Sequence, residues 1–259
     1  MELGIRGRKA IVCASSRGLG RACATSLARE GVAVVINGRD AAVLDQTAKE
    51  IQAETGAAVT PVAANLNEAS ERERLVAACP EPDILVNNNA GPAPGRFEDW
   101  EHEQWLAGLE ANLLAPAMLI RALLPGMKER GFGRIVNITS AMVKTPLAPM
   151  ALSTTARSGL TALCKAISKQ AAPFNVTINN LLPERIDTDR QVQMAKAASK
   201  MFNISYEEAR AQQVDSIAAG RLGQPSEFGD ACAFLCSAQA GYISGQNLQL
   251  DGGSYDGLV

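Results

Sequence analysis

Short apolar runs alternate with amphipathic stretches along the whole chain. Residues 9–14, 33–37, 59–63, 84–87, 134–138, 177–181 and 248–250 are brief, apolar and mostly bounded by Gly, Asn, Asp or Pro. That pattern predicts buried strands. The stretches between them repeat apolar residues at helical spacing. In 18–30 the inward positions are Leu19, Ala22, Cys23, Ser26 and Leu27, and Gly31 ends the run. Segment 41–55 stops at Gly56, a residue suited to close a helix. Further helices are predicted over 100–130, 150–171 and 226–236.

Strands alternating with helices imply an α/β fold: one doubly wound, parallel, seven-stranded sheet of the Rossmann type, covered by helices on both faces. No linker, repeat or low-complexity tract breaks the rhythm, so residues 1–259 read as a single dinucleotide-binding domain. The exception is 186–220, a polar helical insertion between the last two strands. Insertions at the carboxyl end of a parallel sheet commonly cover a substrate, so this one reads as a lid.

Composition narrows the function classes. The chain has 259 residues, 47% apolar and 20% charged, which is enough to bury a full core. Its net charge of −2 gives no electrostatic case for nucleic acid or an anionic membrane. The longest clean apolar run, 113–120, contains Pro116 and is far shorter than the ~20 residues of a bilayer span. The run at 10–14 is too short for a signal-peptide core. Six cysteines without a C-x-x-C pair read as buried free thiols in a reducing cytoplasm. His102 is the only histidine, so a multi-histidine metal site is excluded and no metal is expected.

The first strand runs into Ala14-Ser15-Ser16-Arg17-Gly18-Leu19-Gly20 and then a helix. Glycines at such a turn let the backbone approach a pyrophosphate, which sits on the helix N-terminus. Further along come Asn88-Asn89-Ala90-Gly91, Asn112, the run from Ile135 to Ser140, Pro183 with Thr188, and Asp251-Gly252-Gly253. In order and spacing the chain resembles the short-chain dehydrogenase/reductase family over essentially its whole length, in particular the 3-oxoacyl-carrier-protein-reductase-like branch.

The resemblance implies a cofactor site. Ala14, Ser16, Arg17, Gly18, Leu19 and Gly20 hold the pyrophosphate, while Asn65 and Leu66 flank the adenine. Asn89, Ala90, Gly91 and Ile138 line the ribose and diphosphate path, and Pro183, Ile186 and Thr188 cover the nicotinamide. NAD sites place an acid at the end of the second strand. Here Gly38 stands there, with Arg39 beside it and Arg17 able to converge on the same spot. Two guanidinium groups suit a 2′-phosphate, so NADP(H) is expected in preference to NAD(H). The resemblance also implies a homotetramer joined through the helices at 100–130 and 150–171, with Leu106, Leu113, Leu160 and Leu163 in the contact.

The catalytic positions depart from the family. Its chemistry uses an asparagine, a serine and a Tyr-x-x-x-Lys pair, the tyrosine exchanging a proton with a small carbonyl or alcohol substrate. Asn112 and Ser140 match. Ser153 stands where the tyrosine falls, and Arg157, four residues on, replaces the lysine. An aliphatic hydroxyl is far less acidic than a phenol, and arginine does not exchange protons near neutrality. Three readings therefore stand: an oxidoreductase with another proton donor, a nucleotide-binding protein without turnover or an inactive partner in a mixed oligomer, and a non-redox enzyme on the same fold. For the first, the candidate donors are a water held by Ser140 and Ser153, Lys144, or Tyr206 from the lid. Glu184 replaces the glycine after Pro183 and brings a carboxylate towards the nicotinamide.

Overall fold

A computed structural model describes residues 2–258. Its strands are β1 (Lys9–Val12), β2 (Ala33–Gly38), β3 (Val59–Ala63), β4 (Ile84–Asn87), β5 (Gly133–Ile138), β6 (Val176–Pro183) and β7 (Asn247–Leu250). They form one sheet in the order β3-β2-β1-β4-β5-β6-β7, and every adjacent pair is parallel. The strand order reverses between β1 and β4, and ligands of open α/β sheets bind at that point.

Period-two alternation sorts the strand residues into two cores. Ala10, Val12, Val34, Ile36, Ile84, Val86, Val136 and Ile138 face one side. There they meet α1 (Gly18–Arg29), α2 (Ala41–Thr55) and α9 (Pro225–Cys236). Ile11, Cys13, Val35, Leu85, Ile135 and Ile178 face the other side. That side is covered by α3 (Ala69–Ala77), α5 (Ala115–Glu129) and α6 (Ala151–Ala171). Both faces are sealed, so the strands read as apolar runs rather than as alternating ones.

Several helices differ from expectation. The pattern does not predict α3, because Leu75 is its only buried residue and four of its nine positions are charged. The long helix expected over 100–130 is α4 (His102–Leu109) and α5 joined by a π-helical turn, Glu110–Leu114. One extra residue in that turn escapes a scan for 3.6-residue periodicity. This stretch, His102–Glu129, is long and apolar enough to cross a membrane, yet half of its most apolar window is buried inside the fold. The insertion holds two helices, α7 (Asp189–Phe202) and α8 (Tyr206–Gln212). Leu160, expected at a subunit contact, is 3% exposed and belongs to the protomer's own core, whereas Leu106 is 54% exposed. All six cysteines are free and buried.

A row of asparagines crosses the carboxyl half of the sheet. Asn87 Nδ2 donates to Asn137 Oδ1 at 2.9 Å, Asn137 Nδ2 to Asn180 Oδ1 at 3.0 Å, and Asn180 Nδ2 to Asn247 Oδ1 at 2.8 Å. Each bond pairs an amide N–H with an amide oxygen where an unpaired buried donor would be costly.

Candidate active site

The turn after β1 is built for close backbone approach. Ala14 has φ +42, in the left-handed region that glycine tolerates best. The conformation is held from two sides: Ala14 N–H donates to Asn37 Oδ1 at 3.1 Å, and Asn88 Nδ2 donates to the Ala14 carbonyl at 3.1 Å. A Cβ on Gly20 would collide with the Ala14 carbonyl oxygen, so α1 can begin this close to β1 only with glycine there. Thr188, at the start of the lid, lies over Gly18, with its Cγ2 3.9 Å from where a Cβ on Gly18 would stand. The glycine turn and the lid thus face each other across the carboxyl edge.

At the end of β2, a Cβ on Gly38 would lie 3.1 Å from Ser16 Cβ and 3.2 Å from Ser16 Oγ. Arg17 and Arg39 flank this point, both exposed, and among the described residues neither guanidinium has an ion-pair partner. Asn65 is half-buried and Leu66 buried on the neighbouring strand end. The shape and charge fit a dinucleotide with a 2′-phosphate: backbone exposed at the turn, no acid at residue 38, and free guanidinium groups beside it.

The Asn-Asn-Ala-Gly segment follows β4. Asn89 Nδ2 donates to the Ala111 carbonyl at 3.1 Å, and its Oδ1 accepts from Ala90 N–H at 2.9 Å. Asn112, inside the π turn, donates to the Ala90 carbonyl at 3.3 Å. The structure brings Asn112, Ser153 and Arg157 together around Gly91. A Cβ there would be 3.2 Å from Ser153 Oγ, 3.3 Å from Arg157 Nη2 and 3.5 Å from Asn112 Oδ1. Asn87 and Asn112 also line a cavity of about 10 Å³, and each leaves its Oδ1 without a protein partner. That volume is about one water molecule.

Arg157 is committed to the scaffold. Nη1 donates to the Ile138 carbonyl at 2.8 Å and the Thr139 carbonyl at 3.1 Å, Nη2 reaches the Asn89 carbonyl at 3.4 Å, and Nε donates to Ser153 Oγ at 3.2 Å. Burial pushes its pKa down to about 10, with a smaller push from Arg190 on the lid, so the group stays charged at neutral pH. Ser153 is 6% exposed. Ser140 is half-buried, and its Oγ accepts from Met142 N–H at 3.2 Å.

The open side of the cleft carries other groups. Lys144 ends the 3-10 turn Ala141–Val143 after Ser140, and its Nζ lies 4.9 Å from the centroid of the Tyr255 ring. Glu184 pairs with Arg185 at 3.6 Å. Burial raises its carboxyl pKa; Arg185 opposes that shift and Asp251 adds to it. The carboxylate is held against its sequence neighbour. Arg185, at φ +52, ties down the lid base through the Gln213 carbonyl at 2.7 Å and Ser216 Oγ at 2.6 Å. Pro183 ends β6, and Ile186 forms a parallel bridge with Gly223. Tyr206 starts α8, and none of the hydrogen bonds at Ser140 or Ser153 involves it. The proximity of Tyr255 to Lys144 could not be read from the sequence, since it joins positions 144 and 255.

The doubly wound parallel sheet, the glycine turn after β1 and the lid over its edge define a dinucleotide-binding protein of the Rossmann type. A family model described as Enoyl-(Acyl carrier protein) reductase matches residues 13–255. The chain is 33% identical over 252 residues to the NADPH-dependent reductase BacG of Bacillus subtilis (strain 168), covering 95% of this chain and 97% of that protein. It is 33% identical over 258 residues to the human dehydrogenase/reductase SDR family member 4, covering 96% and 88%. Among solved structures, L-sorbose reductase from Gluconobacter frateurii with NADPH and L-sorbose superimposes with a TM-score of 0.94 at 27% identity, over 100% of both chains. The actinorhodin polyketide ketoreductase with NADPH gives 0.91 at 30% identity, over 96% of this chain and 98% of that one. The chain belongs to the short-chain dehydrogenase/reductase family of oxidoreductases.

Proposed function

We propose that the protein is an NADPH-dependent reductase of a small carbonyl substrate, with a proton donor other than the family's tyrosine. The observation that carries this reading is the pair Arg17 and Arg39 beside Gly38, a strand-end position that carries no carboxylate. The names of relatives such as BacG and of the NADPH-bound ketoreductase agree with it.

Ala14–Gly20 and Thr188 would hold the diphosphate, Asn65 and Leu66 the adenine, and Asn89, Ala90, Gly91 and Ile138 the ribose path. Pro183 and Ile186 would cover the nicotinamide. When bound, NADPH supplies a hydride. Arg157 fixes the carboxyl ends of β4 and β5 and orients Ser153, and Asn112 lines the water-sized cavity between them. The chain's own residues thus position the substrate and stabilise charge, terms that do not require a tyrosine at 153.

A homotetramer follows the family pattern, with exposed Leu106 and half-buried Leu113 and Leu163 on its faces. Light scattering reads this directly, and a monomeric mass overturns it. The buried free thiols support a cytoplasmic setting.

The burial of Ser153 and the engagement of Arg157 favour one second reading, a nucleotide-binding protein without turnover. NADPH consumption assayed over ketones, ketoses and 3-oxoacyl thioesters separates the two. Turnover of any of these classes supports the reductase, while binding with no consumption supports the second reading.

A further inference from the structure

We propose that the cavity between the end of β4 and the π turn is a binding site for one water molecule, which donates one hydrogen to Asn87 and the other to Asn112. The site does not depend on whether the protein reduces a carbonyl.

Two buried acceptors share one small space there. Asn87 is 2% exposed and Asn112 3%. Among the described residues neither Oδ1 atom has a hydrogen-bond partner, and both side chains line the cavity of about 10 Å³. Much of the remaining wall is apolar, including Ala115, Pro116, Leu119 and Leu160. A buried carbonyl oxygen without a donor is costly, and native proteins rarely leave one.

Turning the amides over does not remove that cost. Asn112 Nδ2 donates to the Ala90 carbonyl at 3.3 Å, and a flipped Asn112 would set oxygen against oxygen there. Asn87 Nδ2 donates to Asn137 Oδ1 at 2.9 Å. Asn137 is itself held in its orientation, because its Nδ2 also reaches the Asn179 main-chain carbonyl at 3.4 Å. A main-chain carbonyl only accepts, so the direction of the asparagine row is set. Its first member, Asn87, is left presenting an oxygen to the cavity.

Two acceptors facing one cavity call for a ligand that donates twice and has the volume of a single water. A cation would also suit the oxygens, but Arg157 lines the same cavity and its charged guanidinium repels one. Arg157 supplies a third partner instead. A guanidinium carries five N–H groups. Bonds to Ser153, Ile138, Thr139 and Asn89 use four of them, and one remains for the water oxygen. The water thus joins the sheet, through Asn87, to the π turn, through Asn112. Both of its hydrogens are committed to amide oxygens that have no proton to pass back. It is a positioning ligand and not the reaction's proton donor.

The test has two arms, both on the whole chain. A high-resolution crystal structure without nucleotide should show one density peak within hydrogen-bond distance, about 2.5–3.2 Å, of both Oδ1 atoms. A dry cavity, a peak that touches only one of the two asparagines, or a chain of waters leading from the peak to the cleft overturns the proposal. In solution, oxygen-17 relaxation dispersion reports long-lived internal waters. Asn112→Leu removes one acceptor and fills the space, and it should lower the dispersion amplitude by the equivalent of one water. Asn87→Leu should give the same loss from the other wall. An unchanged amplitude in either folded variant overturns the site, and where a variant fails to fold the parent's crystal structure decides.

Discussion

Arg157 and Ser153 are hydrogen-bonded to each other one turn apart on α6, Nε to Oγ at 3.2 Å. The guanidinium turns inward to three main-chain carbonyls at the ends of β4 and β5. The pair clamps the carboxyl ends of two neighbouring strands together. Arg157→Ala leaves buried carbonyls without donors and should destabilise the protein by about 2 kcal/mol or more. Denaturant unfolding monitored by circular dichroism reads the change. Unaltered stability would show that the clamp contributes nothing.

The turn after β1 is strained at Ala14. Ala14 adopts φ +42 with a Cβ attached, which costs about 1–2 kcal/mol. Ala14→Gly removes that cost but gains up to about 1 kcal/mol of unfolded-chain entropy. The variant should unfold at the parent's midpoint or slightly above it. A clear loss of stability in thermal melts would mean that the methyl group packs favourably where the geometry shows only strain.

Residue 38 lies at the end of β2, beside the proposed ribose site. Gly38→Asp should weaken NADPH binding at least about tenfold by placing a carboxylate against the 2′-phosphate, a penalty of about 1.4 kcal/mol. It should affect NADH far less. Its Cβ must also displace Ser16 by a few tenths of an ångström. Fluorescence titration of the reduced nucleotides reads both affinities, and equal losses for the two would assign the effect to the steric clash alone.

Most of the scaffold was legible because each strand is a short apolar run closed by turn residues, a local signal. All seven strands lie within two residues of their expected bounds, and Ala41–Thr55 matches fully. What escaped is what local pattern does not carry. The helix Ala69–Ala77 buries one side chain and so has no apolar stripe. The π turn at Asn112 shifts the phase of a helix whose composition looks uniform. Leu160 reads as apolar on either a core or a contact face, and only packing assigns it to the core. The glycine turn and the Asn-Asn-Ala-Gly segment were visible as motifs. The inward turn of Arg157 and the Lys144–Tyr255 contact depend on strand ends far apart in the chain.

The central claim is that the carboxyl edge of this sheet binds NADPH through Arg17 and Arg39. Calorimetric titration of the same preparation with NADPH and with NADH tests it most directly. The account predicts NADPH binding at least about tenfold tighter, a difference of about 1.4 kcal/mol. Equal affinities, or no heat with either nucleotide, would contradict it.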